Sequence, residues 1–167
     1  MIRALIAGLL AIGLSLFIET LALTELSRGA VGPVLAVIMM AVILGPIIEE
    51  AAKRLFADIL RARWGATGLV FGVYEGLGKL DSPLLMESQA LLGGLASLAF
   101  HWGLGRVSWP GRWPMGAVIL IHAAYNGFSV VAQHLVGDVS SWLTAGIAFA
   151  ILAVSFAKTT PRTTTTH

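Results

Sequence analysis

The sequence predicts an all-α fold, a polytopic membrane helix bundle of about six transmembrane helices, and three observations predict it. Hydrophobic residues fill 57% of the 167 positions, and 19 glycines add to the non-polar share. The 11 Lys and Arg together with the 9 Asp and Glu make only 12% of the chain charged, about half the share usual in a globular domain. Mean hydropathy is +0.85. Charges this sparse cannot cover a water-facing surface, so the bilayer is the solvent. A soluble enzyme, a nucleic-acid module and a disordered chain are set aside. The pI near 9.4 follows from a surplus of two positive charges and is no argument for nucleic acid. Cysteine is absent, which removes disulfides, thiolate metal sites and cysteine nucleophiles.

At about 20 apolar residues per crossing, the length holds about six or seven helices and little else. The first apolar run covers residues 4–23, behind Arg3 and ahead of Thr24, Glu25, Ser27 and Arg28. It is longer than a signal-peptide core and lacks an A-x-A site, so it reads as a retained helix. The second starts after Gly32-Pro33 and runs through Pro46, which should kink it, into Glu49, Glu50, Lys53 and Arg54. A glycine-rich third run spans 65–80 with Glu75 and Lys79, and a fourth spans 88–105 with His101. After the turn at residues 109–114, a fifth run at 115–136 carries His122 and Asn126, and a sixth spans 141–157 beyond Gly137-Asp138. Residues 1–158 form one membrane domain. The tail 159–167, rich in threonine, is expected to be disordered.

Six crossings put both termini on one side. With them fall Arg3, Lys53, Arg54, Arg61, Arg63, Arg106, Arg112, Lys158 and Arg162, against only Arg28 and Lys79 opposite. That asymmetry orients both termini to the cytoplasm. Trp64, Trp109 and Trp113 then anchor the inner interface and Trp142 the outer one.

Ionisable residues inside this frame are costly, so function is their default reading. From the nearest cytoplasmic loop, Glu75 and His122 lie about 14 Å deep, His101 about 7 Å, and Glu49 and Glu50 about 15 Å. Four helices thus bring polar groups to a similar level. Glu49 with Lys53, Glu50 with Arg54, and Glu75 with Lys79 are each four apart and can pair along their own helix. His122 and Asn126 share a face by the same spacing. Gly72, Gly76, Gly78, Gly93 and Gly94 would let backbones approach around the site.

Glu49-Glu50-Ala51-Ala52-Lys53-Arg54 reads as E-E-x-x-K, Phe71-Gly72-Val73-Tyr74-Glu75 as F-x-x-x-E, His101 stands alone, and His122-Ala123-Ala124-Tyr125-Asn126 reads as H-x-x-x-N. This order resembles the PrsW family of intramembrane proteases. It is also similar to the related CAAX prenyl protease and bacteriocin-processing (CPBP-like) family, whose E-E-x-x-x-R is met by Glu49, Glu50 and Arg54. That family has histidine where Glu75 stands, so PrsW is the nearer match. The resemblance covers residues 33–127 and leaves out the first helix, the sixth and the tail.

The resemblance implies an intramembrane endopeptidase of a bacterial or archaeal cytoplasmic membrane, acting on membrane-associated protein substrates. Glu49, with Glu50 a close second, would activate water, and His122 would share proton transfer. Asn126 would hold the oxyanion, and His101 and Glu75 would complete the set, with Lys53 and Arg54 tuning the glutamates. Glu75, His101 and His122 are equally a three-ligand zinc set. The nearby Lys53, Arg54 and Lys79 favour no metal cofactor, with zinc as the alternative. H-E-x-x-H is absent, Gly137-Asp138 reads as a helix stop, and Ser97 lacks a G-x-S-x-G context and reads as a small interface serine. His134 is read as a partner of Asp138, and Glu19 as snorkelling to the outer surface. A small transporter, or a catalytically silent subunit of a membrane protein complex, remains a competing class.

Overall fold

The computed structural model describes residues 1–29, 32–81, 87–108 and 113–157. Among these the chain is all-α, with six helices: α1 (Ile2–Arg28), α2 (Pro33–Ile59), α3 (Trp64–Leu80), α4 (Glu87–Val107), α5 (Met115–Val136) and α6 (Val139–Ala157). Four of them, α1, α2, α5 and α6, are long and apolar enough to cross a membrane. The other two fall short for readable reasons. Helix α3 has 17 residues, about 25 Å of rise, and the 21 residues of α4 are diluted by Glu87, Gln89, His101, Arg106 and four glycines. The break at Pro83, residues 109–112 of the expected turn, and the tail 159–167 lie outside the described residues.

The expected disturbance at Pro46 takes the form of a π-helical turn, Met40–Leu44, within α2. In π geometry the N–H of residue 46 would serve the carbonyl of Ala41, five residues back. Proline has no N–H to give. The Asn126 Nδ2 of α5 donates to that carbonyl instead, at 2.8 Å, so α5 closes the gap that proline opens.

Two apolar clusters flank the middle of the bundle. Ala4, Ala7 and Ala11 of α1 pack on Ala52 and Ala57 of α2 and Phe71 of α3. Phe100 and Leu104 of α4 pack with Val118 and Tyr125 of α5 and Ala145 and Ala148 of α6. Small residues dominate, so the helices approach closely. Approach is tightest between α3 and α4. A Cβ on Gly68 would overlap the carbonyl oxygen of His101, one on Gly72 would lie 2.8 Å from that of Ser97, and one on Gly76 2.8 Å from that of Gly94. Gly78, expected in this contact, has open space at its Cβ position. The seam instead uses Gly68, Gly72 and Gly76, which recur at helical spacing on one face. At the other end, Gly137 adopts φ 55 in the turn joining α5 to α6, a conformation that glycine takes freely.

Candidate functional site

Between the two apolar clusters lies a chain of polar side chains drawn from four helices. Lys79 Nζ of α3 sits 2.8 Å from Glu75 Oε1 and donates to Ser97 Oγ of α4 at 2.5 Å. Glu75 Oε2 is 2.5 Å from His101 Nε2. His101 Nδ1 is 3.0 Å from Lys53 Nζ of α2, which donates to Glu50 Oε1 at 2.5 Å. The same Glu50 oxygen lies 3.0 Å from His122 Nδ1 of α5. Glu50, Lys53, His101 and His122 are all buried. Of the expected convergence of Glu49 or Glu50, Glu75, His101, His122 and Asn126, the geometry joins Glu50, Glu75, His101 and His122, with Lys53 as the link, whereas Asn126 donates to the Ala41 carbonyl. The junction depends on the glycine seam, because only a side-chain-free face on α3 lets Glu75 reach an α4 histidine.

Aromatic rings set the orientation of the imidazoles. Phe71 stands 5.2 Å from His101, and Phe100 stands 5.4 Å from His101 and 5.1 Å from His122. The two imidazoles are 5.0 Å apart at 76°. Phe100 is itself stacked on Tyr125 at 4.0 Å, and the Lys53 ammonium lies 4.2 Å over Phe71, a cation–π contact that partly replaces lost hydration.

Glu49 differs from its neighbour. Its Oε2 is 3.7 Å from Lys53 Nζ and 3.9 Å from His122 Nε2, both beyond hydrogen-bond length, and that oxygen is buried with no hydrogen-bond partner among the described residues. Glu19 Oε1 and Ser15 Oγ of α1 are likewise buried and unpartnered. Glu19 does not snorkel outward, because its Oε1 is buried inside the bundle. Sequence reading missed it although the signal was present: Glu19 continues the stripe Ala4, Gly8, Ala11, Ser15 that α1 buries. Ser97, read as a packing serine, is also a member of the chain.

Other expectations need correction. Arg54 does not pair with Glu50, whose oxygen is taken by Lys53 and His122. The half-exposed Arg54 instead reaches Asp58 Oδ2 at 3.7 Å and lies 5.5 Å over Trp64. Asp138 accepts from Gln89 Nε2 of α4, while His134 is exposed and has no partner among the described residues. Asn126 shares a face with His122, yet its amide is turned to Ala41.

The carboxylate proposed as a zinc ligand, Glu75, faces the outer nitrogen of His101. The residues whose ligand atoms come within 4.8 Å of one another are Glu49, His101 and His122. Lys53 Nζ stands 3.0 Å from the inner nitrogen of His101, a position where positive charge opposes a divalent cation, so the donors as arranged do not fit one. The cluster reaches the surface in two places. A narrow cleft lined by Glu50, Lys53, Arg54 and Trp64 opens at one end, and a cavity of about 820 Å³ opens beside Tyr74, Glu75 and Lys79.

Comparison with family models, with curated proteins and with solved structures finds no match. The resemblance to the PrsW family rests on the motifs and their order.

Proposed function

We propose that the chain is an intramembrane peptidase that hydrolyses membrane-associated protein substrates with Glu49 as general base. The observation that carries this reading is the single bonded chain Lys79–Glu75–His101–Lys53–Glu50–His122, which joins all four sequence motifs. In it Glu50 is an anchor, engaged on both sides. Glu49 Oε2 and His122 Nε2 face each other at 3.9 Å and would hold the attacking water between them. Glu49 removes a proton as the water oxygen bonds to the scissile carbonyl carbon. That proton then passes to the leaving amine as the C–N bond breaks. Asn126 Nδ2 carries two hydrogens, one given to Ala41 and one left for the oxyanion, with the Lys53 ammonium as the second source of positive charge.

The same reading has the chain crossing the membrane six times with both termini cytoplasmic. Helix α3 packs mainly on α4 and α1 and turns Val73, Leu77 and Leu80 outward, and α4 lies between α3 and α6. Reporter fusions after Arg63 and Arg112 should report cytoplasm, and those after Arg28, Pro83 and Asp138 the opposite side.

The direct test is cleavage of a co-expressed membrane protein substrate. Wild type should cleave in strong chelator, and Glu49→Gln should not. Full cleavage by Glu49→Gln would remove the base assignment, and activity restored only by adding back one metal would replace it with a metal mechanism. One observation favours a second reading, a catalytically silent subunit: Glu50, His101 and His122 bond to the chain's own groups, as a helix-docking network would. Cleavage by wild type but not by Glu49→Gln separates the two.

A further inference from the structure

At the end of the bundle where α1 starts and α2 and α4 finish, two adjoining cavities of about 600 and about 590 Å³ share Arg63 and the first residues of the chain in their walls. The larger is an apolar trench along α1 and α3, walled by Leu5, Leu69, Val70 and Trp102, with Arg63 and Arg106 beside it. From Arg63 to Val70 is seven residues, about 10 Å along α3. The smaller is lined by Arg3, Arg61 and Arg63. No Asp or Glu lines either cavity. Arg3, Arg61 and Arg63 are exposed, and none has a salt bridge or side-chain hydrogen bond among the described residues. Two arginines away from these cavities have acidic partners: Arg28 pairs with Glu25 at 3.0 Å, and Arg54 with Asp58 at 3.7 Å. Arg61 also adopts φ 50, a left-handed conformation that costs little for glycine and more for a residue with a Cβ.

We propose that this groove binds an anionic glycerophospholipid, with its phosphate on Arg3, Arg61 and Arg63 and one acyl chain along Leu5, Leu69 and Val70. The trench by itself would take any lipid tail. The three guanidiniums, unpaired among the described residues, supply the selection, because they present forks of donors to a phosphodiester, whereas no acid lines the groove to welcome a choline or ethanolamine cation and the nearest one in sequence, Asp58, is engaged by Arg54 and Trp64. The groove is separate from the polar cluster, so its test does not depend on the peptidase reading.

The full-length protein in a neutral detergent is titrated with phosphatidylglycerol, phosphatidylcholine or inorganic phosphate, following the melting midpoint and the lipids retained in native mass spectrometry. Phosphatidylglycerol should raise the midpoint and remain bound, and phosphatidylcholine should do so only at much higher concentration. Each arginine removed should raise the concentration needed by about fivefold, so Arg61→Gln with Arg63→Gln requires about twenty-fivefold more. The single variants Arg3→Gln and Arg63→Gln give the same reading if the double variant is not recovered. Arg54→Gln, outside the groove, should respond as wild type. Equal response to the two lipids, a full response to inorganic phosphate alone, or an unchanged response in the arginine variants would overturn the proposal.

Discussion

The polar core has two sides that differ in how their atoms are satisfied. On the side of α3, α4 and α5, the acidic and basic groups run in an unbroken line, and the glycine seam and stacked aromatics hold that line rigid. Where α1 faces α2, Ser15, Glu19 and Glu49 each present a buried oxygen to no partner. A buried polar atom without a partner costs about 1–3 kcal/mol, so a fold keeps such atoms at some disadvantage. The bonded side therefore belongs to the architecture. The unbonded side is where the chain has capacity to hold something else, and Glu49 and Glu50, adjacent in sequence, fall on opposite sides of that division.

Breaking the bonded side should have the largest effect. Glu50→Ala strips Lys53 and His122 of their shared acceptor and leaves a buried ammonium with His101 and a distant Glu49. With Glu49 at 3.7 Å as the remaining ion pair of Lys53, the expected loss is about 3 kcal/mol, read as unfolding in detergent. A cost under about 1 kcal/mol would show that the line of bonds is not structural. Next comes the seam. Gly72→Leu must displace α4, because its Cβ would lie 2.8 Å from both Leu98 Cα and Ser97 O, at about 1–3 kcal/mol. Gly78→Leu, with open space around it, should change stability by no more than about 0.5 kcal/mol. Equal costs at the two glycines would refute the seam. Smaller again is Asn126→Ala, which deprives the Ala41 carbonyl of its donor at about 1 kcal/mol. Pro46→Ala supplies the missing N–H, so the cost of Asn126→Ala should shrink in that background. A strictly additive double variant would mean that Asn126 does not serve the π turn.

Much of this division was legible in the sequence, and its limits are instructive. Helix content, the order of the runs and the meeting of Glu50, Glu75, His101 and His122 follow from apolar length and from charges that a bilayer does not tolerate singly. Periodicity did not foresee that Glu50 would pair with Lys53 three residues on rather than Arg54 four on. That choice is made by His122, on a helix 72 residues away. Nor did it foresee that the amide of Asn126 would be turned to a carbonyl freed by a proline 80 residues earlier, since a π turn has no composition of its own. Glu19 was within reach of sequence reading. Its position near a helix end was weighed above its place on the buried face of α1, and the face decided.

The smallest expected effect on stability is also the most informative. Glu49→Gln and Glu19→Gln remove charge at buried oxygens that make no hydrogen bond among the described residues, so no hydrogen-bond partner is orphaned, and the 3.7 Å contact of Glu49 with Lys53 does little to offset the cost of burying the charge. Neither variant should lose more than about 0.5 kcal/mol. Glu19 and Glu49 are both acids with a buried, unbonded oxygen, so like-charge repulsion between them predicts that the first neutralisation relieves strain that the second cannot relieve again. The double variant should then be less stable than the two single effects sum to, by a coupling of about 0.5 kcal/mol or more. If peptide cleavage disappears in Glu49→Gln while its unfolding transition stays with wild type, the unbonded side is the working side. A loss of about 2 kcal/mol or more in Glu49→Gln would instead place Glu49 with Glu50 in the architecture, and the division drawn between the two neighbouring glutamates would fall.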